Sequence, residues 1–274
     1  MKQQKLLSQA IVHAILIAGA LIMIVPYLWM LTLSLKPVEL TYSAPYLIPT
    51  TFEWENYRQA WQTASFDLYY MNSAIVTIGI TAGQVLVCSL AAYAFARLKF
   101  PGKEIVFLLF LGTMMIPFHA ILIPSYLLID RLDWVDTYQA MIIPRLFSAF
   151  GIFLMRQYYE SVSTELDDAA MIDGCSRIGV WWRILVPLSG PGLVTLGIFA
   201  FLFAWNEFLW PLVVINDPDM RTVQLGLAMF QGRYGTQWTL LMAGTVTATI
   251  PTILAFLIGQ RRFIESIAHT GLKG

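Results

Sequence analysis

Residues 11–33 read IVHAILIAGALIMIVPYLWMLTL, a run containing no acid, lysine or arginine. A helix needs about 20 consecutive apolar residues to cross the hydrocarbon core of a bilayer, and this run meets that length. Working outward, five further segments have the same character: residues 72–96, 105–129, 138–155, 188–214 and 238–259. Over the chain of 274 residues, 58% are apolar and 12% charged, against about 25% charged in a typical soluble domain. So few charges cannot coat a soluble particle. Inside lipid no water is available to the backbone, so such a chain must span as helices or as a closed barrel. Long unbroken runs, instead of short alternating segments, select helices. The expected fold is an all-α integral membrane domain of six transmembrane helices.

Six spans put both chain ends on one side. The connections on that side carry Lys2, Lys5, Arg97, Lys99, Lys103, Arg156, Arg177, Arg183, Arg261, Arg262 and Lys273. The opposite set carries Lys36, Arg58, Arg131, Arg145, Arg221 and Arg233. Basic residues concentrate in cytoplasmic connections, so both termini are expected in the cytoplasm, with the chain in a plasma (inner) membrane. The first run is longer than the ~7–15 residue core of a secretory signal and lacks a small-x-small cleavage site, so it is read as a retained span. Acids and bases balance at 17 each, which gives no net field of the kind that draws nucleic acid. Cys88 and Cys175 make no disulfide framework and are expected as free thiols.

Prolines at 26, 117, 124, 144, 211 and 251 lie inside the apolar runs. Each removes a helix hydrogen bond, so bent helices are expected. Small residues at Gly79-Ile80-Thr81-Ala82-Gly83, Ala91-Ala92-Tyr93-Ala94 and Ala243-Gly244-Thr245 are expected at helix interfaces, where close backbone approach replaces a hydrophobic drive. After the first span, Pro37, Pro45 and Pro49 favour extended chain, followed by a short helix. Trp54, Tyr57, Trp61, Tyr69 and Tyr70 suit an aromatic belt against membrane lipid.

The most informative connection joins the fourth and fifth spans, about residues 157–187. Within it Glu165-Leu166-Asp167-Asp168-Ala169-Ala170-Met171-Ile172-Asp173-Gly174-Cys175-Ser176 continues to Ile184-Leu185-Val186-Pro187. Acids in the opening turn favour a helix start, with Thr164 as its expected cap. Gly174 stands where a left-handed residue would end that helix, Ser176 where a second would be capped, and Pro187 at the start of span five. The result is a helix, turn, helix device on the cytoplasmic side.

These residues resemble the cytoplasmic loop of permeases from ATP-binding cassette importers, whose pattern is Glu-Ala-Ala, three residues, Gly, nine residues, Ile, two residues, Pro. Asp168-Ala169-Ala170, Gly174, Ile184 and Pro187 keep that register, with Asp168 carrying the usual glutamate's charge on a shorter arm. Ala91-Ala92-Tyr93-Ala94-Phe95-Ala96-Arg97, Phe100-Pro101-Gly102-Lys103, Trp205-Asn206-Glu207-Phe208-Leu209-Trp210-Pro211-Leu212 and Gln260-Arg261-Arg262-Phe263 look like the same family. The likeness covers nearly the whole chain and is closest to the second permease of maltose-type sugar importers; the ending His269-Thr270-Gly271-Leu272 departs from the usual Gly-Ala-Val.

The resemblance implies a single permease domain over residues 1–274 whose loop around Asp168, Ala169, Ala170, Gly174, Ile184 and Pro187 couples to an ATPase. It also implies a second permease, two ATPase subunits holding ATP and Mg, and an extracytoplasmic solute-binding protein reached by the outer segment with Asp217, Asp219, Arg233 and Tyr234. No phosphate loop of the form G-x4-GK[ST] occurs in the chain, so this subunit binds no nucleotide cofactor and is not an enzyme.

Within the apolar runs the polar pair Asn206 and Glu207, flanked by Trp205 and Trp210, is a candidate solute path or gate, since an intramembrane carboxylate is a functional candidate by default. A hydrogen-bond network to the partner permease accounts for the pair equally well, and bilayer anchoring for the tryptophans. Arg145 is expected to snorkel outward or to pair with an acid of a neighbouring helix. His119 reads as a packing residue, and no cluster at ligand spacing suggests a metal. The expected cargo is a sugar or sugar-like solute, with a polyol or glycerol phosphate as the runner-up. An ion-coupled secondary transporter, the rival from another class, would carry midplane ionisable residues and internal repeats.

Overall fold

A computed structural model describes residues 2–41, 52–232 and 235–271, with side chains from 9 to 261 within that range. The backbone is mostly helical. In order it forms α1 (Lys2–Ser34), α2 (Glu55–Thr63), α3 (Phe66–Arg97), α4 (Lys103–Thr113), α5 (Phe118–Arg131), α6 (Tyr138–Ile142) and α7 (Ala149–Ser161). There follow α8 (Glu165–Ile172), α9 (Arg177–Val180), a π-helical turn (Trp181–Leu185) and α10 (Val186–Leu188). The chain continues as α11 (Gly190–Asn206), α12 (Leu209–Val214), α13 (Val223–Ala228), a two-residue hairpin β1 (Gln231–Gly232) with β2 (Gly235–Thr236), and α14 (Trp238–Gly271).

Three stretches are long and apolar enough to cross a membrane unbroken: Gln9–Ser34, Phe66–Arg97 and Trp238–Arg261. Three bent pairs meet the same test together. The first, α4 with α5, turns by 98° between Thr113 and Phe118. Pro117 sits at that corner as the cap residue of α5, with extended backbone at φ −64° and ψ 135°. The run 105–129, expected as one kinked span, is therefore two helices. The second pair bends by 44° between Arg145 and Ala149, where Pro144 lies in a single 3-10 turn and Ser148 restarts the helix by accepting the Gly151 N–H. In the third, Arg177–Leu188 and Gly190–Asn206 meet at 83°. Pro187 was expected to open the fifth span; it lies instead in α10, and the long helix begins beyond the bend at Gly190. A second break at Glu207 and Phe208 then separates α11 from α12. Pro26 and Pro251 are accommodated within α1 and α14.

Contacts divide the chain into two units: Met1–Asp67 with Gly226–Ile250, and Leu68–Leu225 with Pro251–Gly274. In the first, α2 is the short helix foreseen after the proline-rich segment. The buried Asn56 amide donates to the carbonyls of Ser34 and Lys36 at 3.0 and 2.9 Å, closing the end of α1. Phe66 stacks on Phe230, and a Cβ at Gly244 would stand 2.8 Å from Leu227 and 3.0 Å from Phe66. Of the expected aromatic belt within this unit, Trp54 and Trp61 are exposed.

In the second unit two apolar clusters form. One gathers Cys88, Tyr93 and Phe95 of α3, Phe107 of α4, Ile152, Met155 and Tyr159 of α7, Trp181 and Leu185 of the π turn, and Leu196 of α11. The other joins Val76 and Ile80 of α3, Met141 of α6, Trp210 and Val214 of α12, and Leu225 of α13. The small-residue face of α3 behaves as expected. A Cβ at Gly79 would meet Ile142 at 2.9 Å, and one at Gly83 would meet Leu146 at 2.2 Å. Tyr69, expected in the aromatic belt, is buried in this unit. Cys88 and Cys175 are both free.

Candidate functional site

The connection from α7 to α11 is built from residue chemistry that can be followed step by step. Glu165, Asp167 and Asp168 occupy the first turn of α8, where the unsatisfied N–H groups favour negative charge. Thr164, expected to cap this helix through its side chain, does so only through its carbonyl, which accepts the N–H groups of Asp167 and Asp168 at 3.0 and 3.1 Å. The nearby hydroxyl that accepts a backbone N–H is Ser163, from Glu165 at 3.3 Å.

The far end of α8 closes as the spacing foretold. Gly174 takes φ +82°, its N–H reaches the Met171 carbonyl at 3.1 Å, and the Cys175 N–H reaches Ala170 at 2.9 Å. Those two bonds are the 5→2 and 6→1 pair of a Schellman ending, which needs a left-handed residue at the position of Gly174. Ser176 then accepts the Gly179 N–H at 3.2 Å and caps α9. The helix, turn, helix device is present.

Two buried contacts hold it. Asp167 turns inward from the acidic turn, and its Oδ2 lies 2.6 Å from Arg97 Nε at the end of α3, with 10% and 7% of the side chains exposed. Arg97 also donates from Nη2 to the Val162 carbonyl at 2.7 Å. Below α9, the Trp181 indole N–H donates to Ser89 Oγ at 2.9 Å, and that hydroxyl shares a hydrogen bond with the Tyr159 hydroxyl. These link the π turn to α3 and α7. A neighbouring cluster braces α4 against α7: both Glu104 oxygens accept from Arg156 Nη2 at 3.0 and 3.1 Å, and Phe107 lies beneath that guanidinium at 4.0 Å.

What remains outside is apolar. Leu166, Met171, Ile178 and Trp182 are exposed, and Ile172 is 86% exposed. Asp168, Ala169, Gly174 and Pro187 are exposed with them, while Ala170 and Ile184 are half-buried. Exposed apolar patches of this kind mark contact sites for protein or membrane.

The second candidate group lies where α11 breaks. Arg145 and Glu207 form an ion pair at 3.1 Å, with 15% and 14% of their side chains exposed. Glu207 Oε1 also accepts the Trp210 N–H at 3.2 Å, which caps α12. The Arg145 guanidinium lies over Phe118 at 4.0 Å and within 5.4 Å of Phe203 and 5.8 Å of Trp210. Arg145 was expected to pair with an acid or to snorkel; it pairs, and with the acid already marked. Asn206 is exposed and donates to Leu202 of its own helix.

Trp205 and Trp210, considered as solute-stacking or anchoring rings, are packed inside the protein. Trp205 stacks on Phe201 and meets Tyr70 edge-on. Trp210 is 1% exposed and donates its indole N–H to the Ala140 carbonyl at 2.9 Å. Little of either ring is open to solvent. His119, expected to be packed, is exposed.

In the segment after α12, Asp217 accepts the Asp219 N–H, and Asp136 accepts the N–H groups of Asn216 and Asp217. The Asn72 amide donates to the Asp219 and Arg221 carbonyls at 2.8 and 2.9 Å, pinning this segment to α3. Arg233 and Tyr234 lie outside the described residues.

Residues 75–262 match the protein family described as binding-protein-dependent transport system inner membrane component. The chain belongs to that family. This permease is 36% identical over 253 residues to a probable ABC transporter permease of Bacillus subtilis, covering 91% of this chain and 83% of the relative. It is 36% identical to an arabinooligosaccharides transport system permease of Halalkalibacterium halodurans, covering 93% of each. It is 32% identical to an sn-glycerol-3-phosphate transport system permease of Pectobacterium atrosepticum, covering 94% and 95%. Among solved structures, a bacterial ABC transporter involved in the import of the acidic polysaccharide alginate superposes with a TM-score of 0.82 at 22% identity, over 93% of this chain and 96% of that one. The protein is thus a multi-pass membrane permease of an ABC importer, and ATP hydrolysis resides on a separate subunit.

Sequence reading missed two of the contacts that hold the site. Arg97 and Asp167 stand 70 positions apart and were each read for something else. One signal was available: Asp167 lies about 160° round the helix from Glu165, at the edge of the three-acid arc. Trp181, Ser89 and Tyr159 carried no signal beyond being polar groups in apolar surroundings.

Proposed function

We propose that this permease crosses the membrane six times, with each bent pair forming one span, and that both termini are cytoplasmic. In this reading the whole chain acts as one domain, and α8 is its coupling helix. Two ATPase subunits, holding ATP and Mg, close and open beneath a pair of permeases, and α8 passes that movement to the spans. The solute arrives on an extracytoplasmic binding protein, for which the segment with Asp217 and Asp219 is the contact. A ligand or nucleotide can shift such an equilibrium only through unequal affinity for its two states, so the coupling surface must hold the ATPase in both.

The observation that carries this reading is the build of α8 and its ending: an inner acid tied to Arg97, a left-handed Gly174, and exposed Leu166, Met171 and Ile172. Supporting the cargo class, the permeases most similar to this one include those for arabinooligosaccharides and for sulfoquinovosyl glycerol. A sugar or sugar-like solute is therefore the first reading. Glycerol phosphate is second, on the strength of the Pectobacterium relative. Asp168, Ala169, Ala170, Ile184 and Pro187 are assigned to the ATPase contact with Gly174.

Capture of the complex through a tag on this chain, followed by uptake into proteoliposomes, tests the proposal. ATP-dependent uptake that Gly174→Asp abolishes and ionophores leave intact is expected. Uptake that collapses with the proton or sodium gradient refutes it, as does failure of an Ile172→Cys variant to crosslink to any ATPase.

A further inference from the structure

Beside the Arg145 and Glu207 pair lies a cavity of about 470 Å³, within the range of small-molecule sites. Its walls are aromatic, chiefly Phe118, Phe150, Phe199 and Phe203, with Gln84, Ser125, Arg145 and Ser148 as polar groups. Among the described lining residues Arg145 is the single charged one, and Glu207 lies behind it at 3.1 Å. Apolar walls with a few placed polar groups are the usual composition of a ligand pocket.

We infer that this cavity is a solute site for an uncharged saccharide, and that Glu207 sets this preference by neutralising Arg145. The inference rests on the importer reading above and adds to it the place and the charge class of the cargo. Aromatic faces suit the C–H faces of a sugar ring. Arg145 lines the cavity and bonds Glu207 from Nη2, and a guanidinium carries five N–H donors, so donors remain for hydroxyl groups after that bond. A carboxylate or phosphate gains nothing here, because the pair has no net charge and Glu207 stands 3.1 Å from the one cation among the described lining residues. Removing the carboxylate alone would leave a buried arginine facing the cavity, and such a group seeks an anion.

The test uses the complex captured through this chain, in nanodiscs without binding protein, titrated with neutral disaccharides (maltose, arabinobiose, xylobiose) and with digalacturonate. Trp210, whose ring faces the guanidinium, provides the fluorescence readout. The wild type is expected to bind at least one neutral disaccharide at least tenfold more tightly than digalacturonate. Glu207→Gln is expected to reverse that order, and the double variant Arg145→Gln/Glu207→Gln to restore it. If Glu207→Gln fails to assemble, the double variant still decides: a neutral disaccharide bound more tightly than digalacturonate, though more weakly than by wild type for want of the guanidinium donors, supports the site, and an equal or reversed preference in an assembled complex overturns it. Absence of any neutral binding, or a preference within twofold between wild type and Glu207→Gln, also overturns it. ATP-driven uptake intact alongside either result removes the cavity assignment and leaves the importer reading standing.

Discussion

Replacing Asp167 with asparagine keeps the shape of the α8 anchor and removes its charge. Arg97 would then be left buried without a counter-charge, with only neutral acceptors in the Val162 carbonyl and the new amide oxygen, since the two side chains are 7% and 10% exposed and 2.6 Å apart. Deleting one partner of a buried ion pair costs about 3–5 kcal/mol, mostly through the stranded charge. A pair at 4 Å in an effective dielectric near 20 is worth about 4 kcal/mol by Coulomb's law, which agrees. Because the carbonyl bond persists, the lower end applies, about 3 kcal/mol. At about 2–4 °C per kcal/mol for a chain of this size, the unfolding midpoint should fall by roughly 6–12 °C. The assay is thermal unfolding in detergent micelles followed by circular dichroism. Arg97→Met/Asp167→Leu removes both charges and should recover most of the loss, because an apolar pair of similar volume commonly replaces a buried ion pair at little cost. A midpoint for Asp167→Asn within 2 °C of wild type, on the order of half a kcal/mol, would refute the reasoning, as would strict additivity of the two single substitutions.

Further outcomes follow from single positions. Gly192→Ala places a Cβ within 2.6–2.9 Å of the Tyr158 ring. It should cost about 1–3 kcal/mol of overpacking, recovered in Gly192→Ala/Tyr158→Leu, since the Tyr158 hydroxyl has no hydrogen-bond partner among the described residues to lose; thermal melts check both. At Gly174 a Cβ would meet nothing within 4 Å, so Gly174→Ala should cost only the left-handed backbone, about 1–2 kcal/mol, and Gly174→Asn less; an equal loss in both variants counts against a purely conformational role. Trp181→Phe removes the indole donor to Ser89 and should cost about 1 kcal/mol, with faster amide hydrogen exchange across residues 177–188 as the measurement.

Much of the fold could be read before any coordinates, because bilayer thickness imposes a length on apolar runs that few other forces disturb. The loop was equally legible. Its caps, Gly174 and Ser176, are local chemistry, and local chemistry acts within a few residues. What escaped was of two kinds. Bend angles depend on how freed carbonyls are satisfied by neighbouring helices, so Pro117 marks a 98° corner while Pro26 and Pro251 sit within long helices. Pairings across the chain, such as Arg97 with Asp167 and Arg145 with Glu207, are set by tertiary packing, and each partner alone supports several readings. The burial of Trp205 and Trp210 was hidden for the same reason, since an indole suits an open aromatic face and a closed core alike.

The π turn at Trp181–Leu185 opens on two adjacent tryptophans, one buried on Ser89 and one facing out. Such a turn holds one residue more than an α-helical turn would, and each residue of an α-helix rotates its successor by about 100°. Losing a single codon within it would swing every following side chain round the axis and carry the 83° corner at Ser189 with it. Lineages of this permease should therefore tolerate many exchanges of side chain between Arg177 and Leu188 while keeping the number of residues there unchanged.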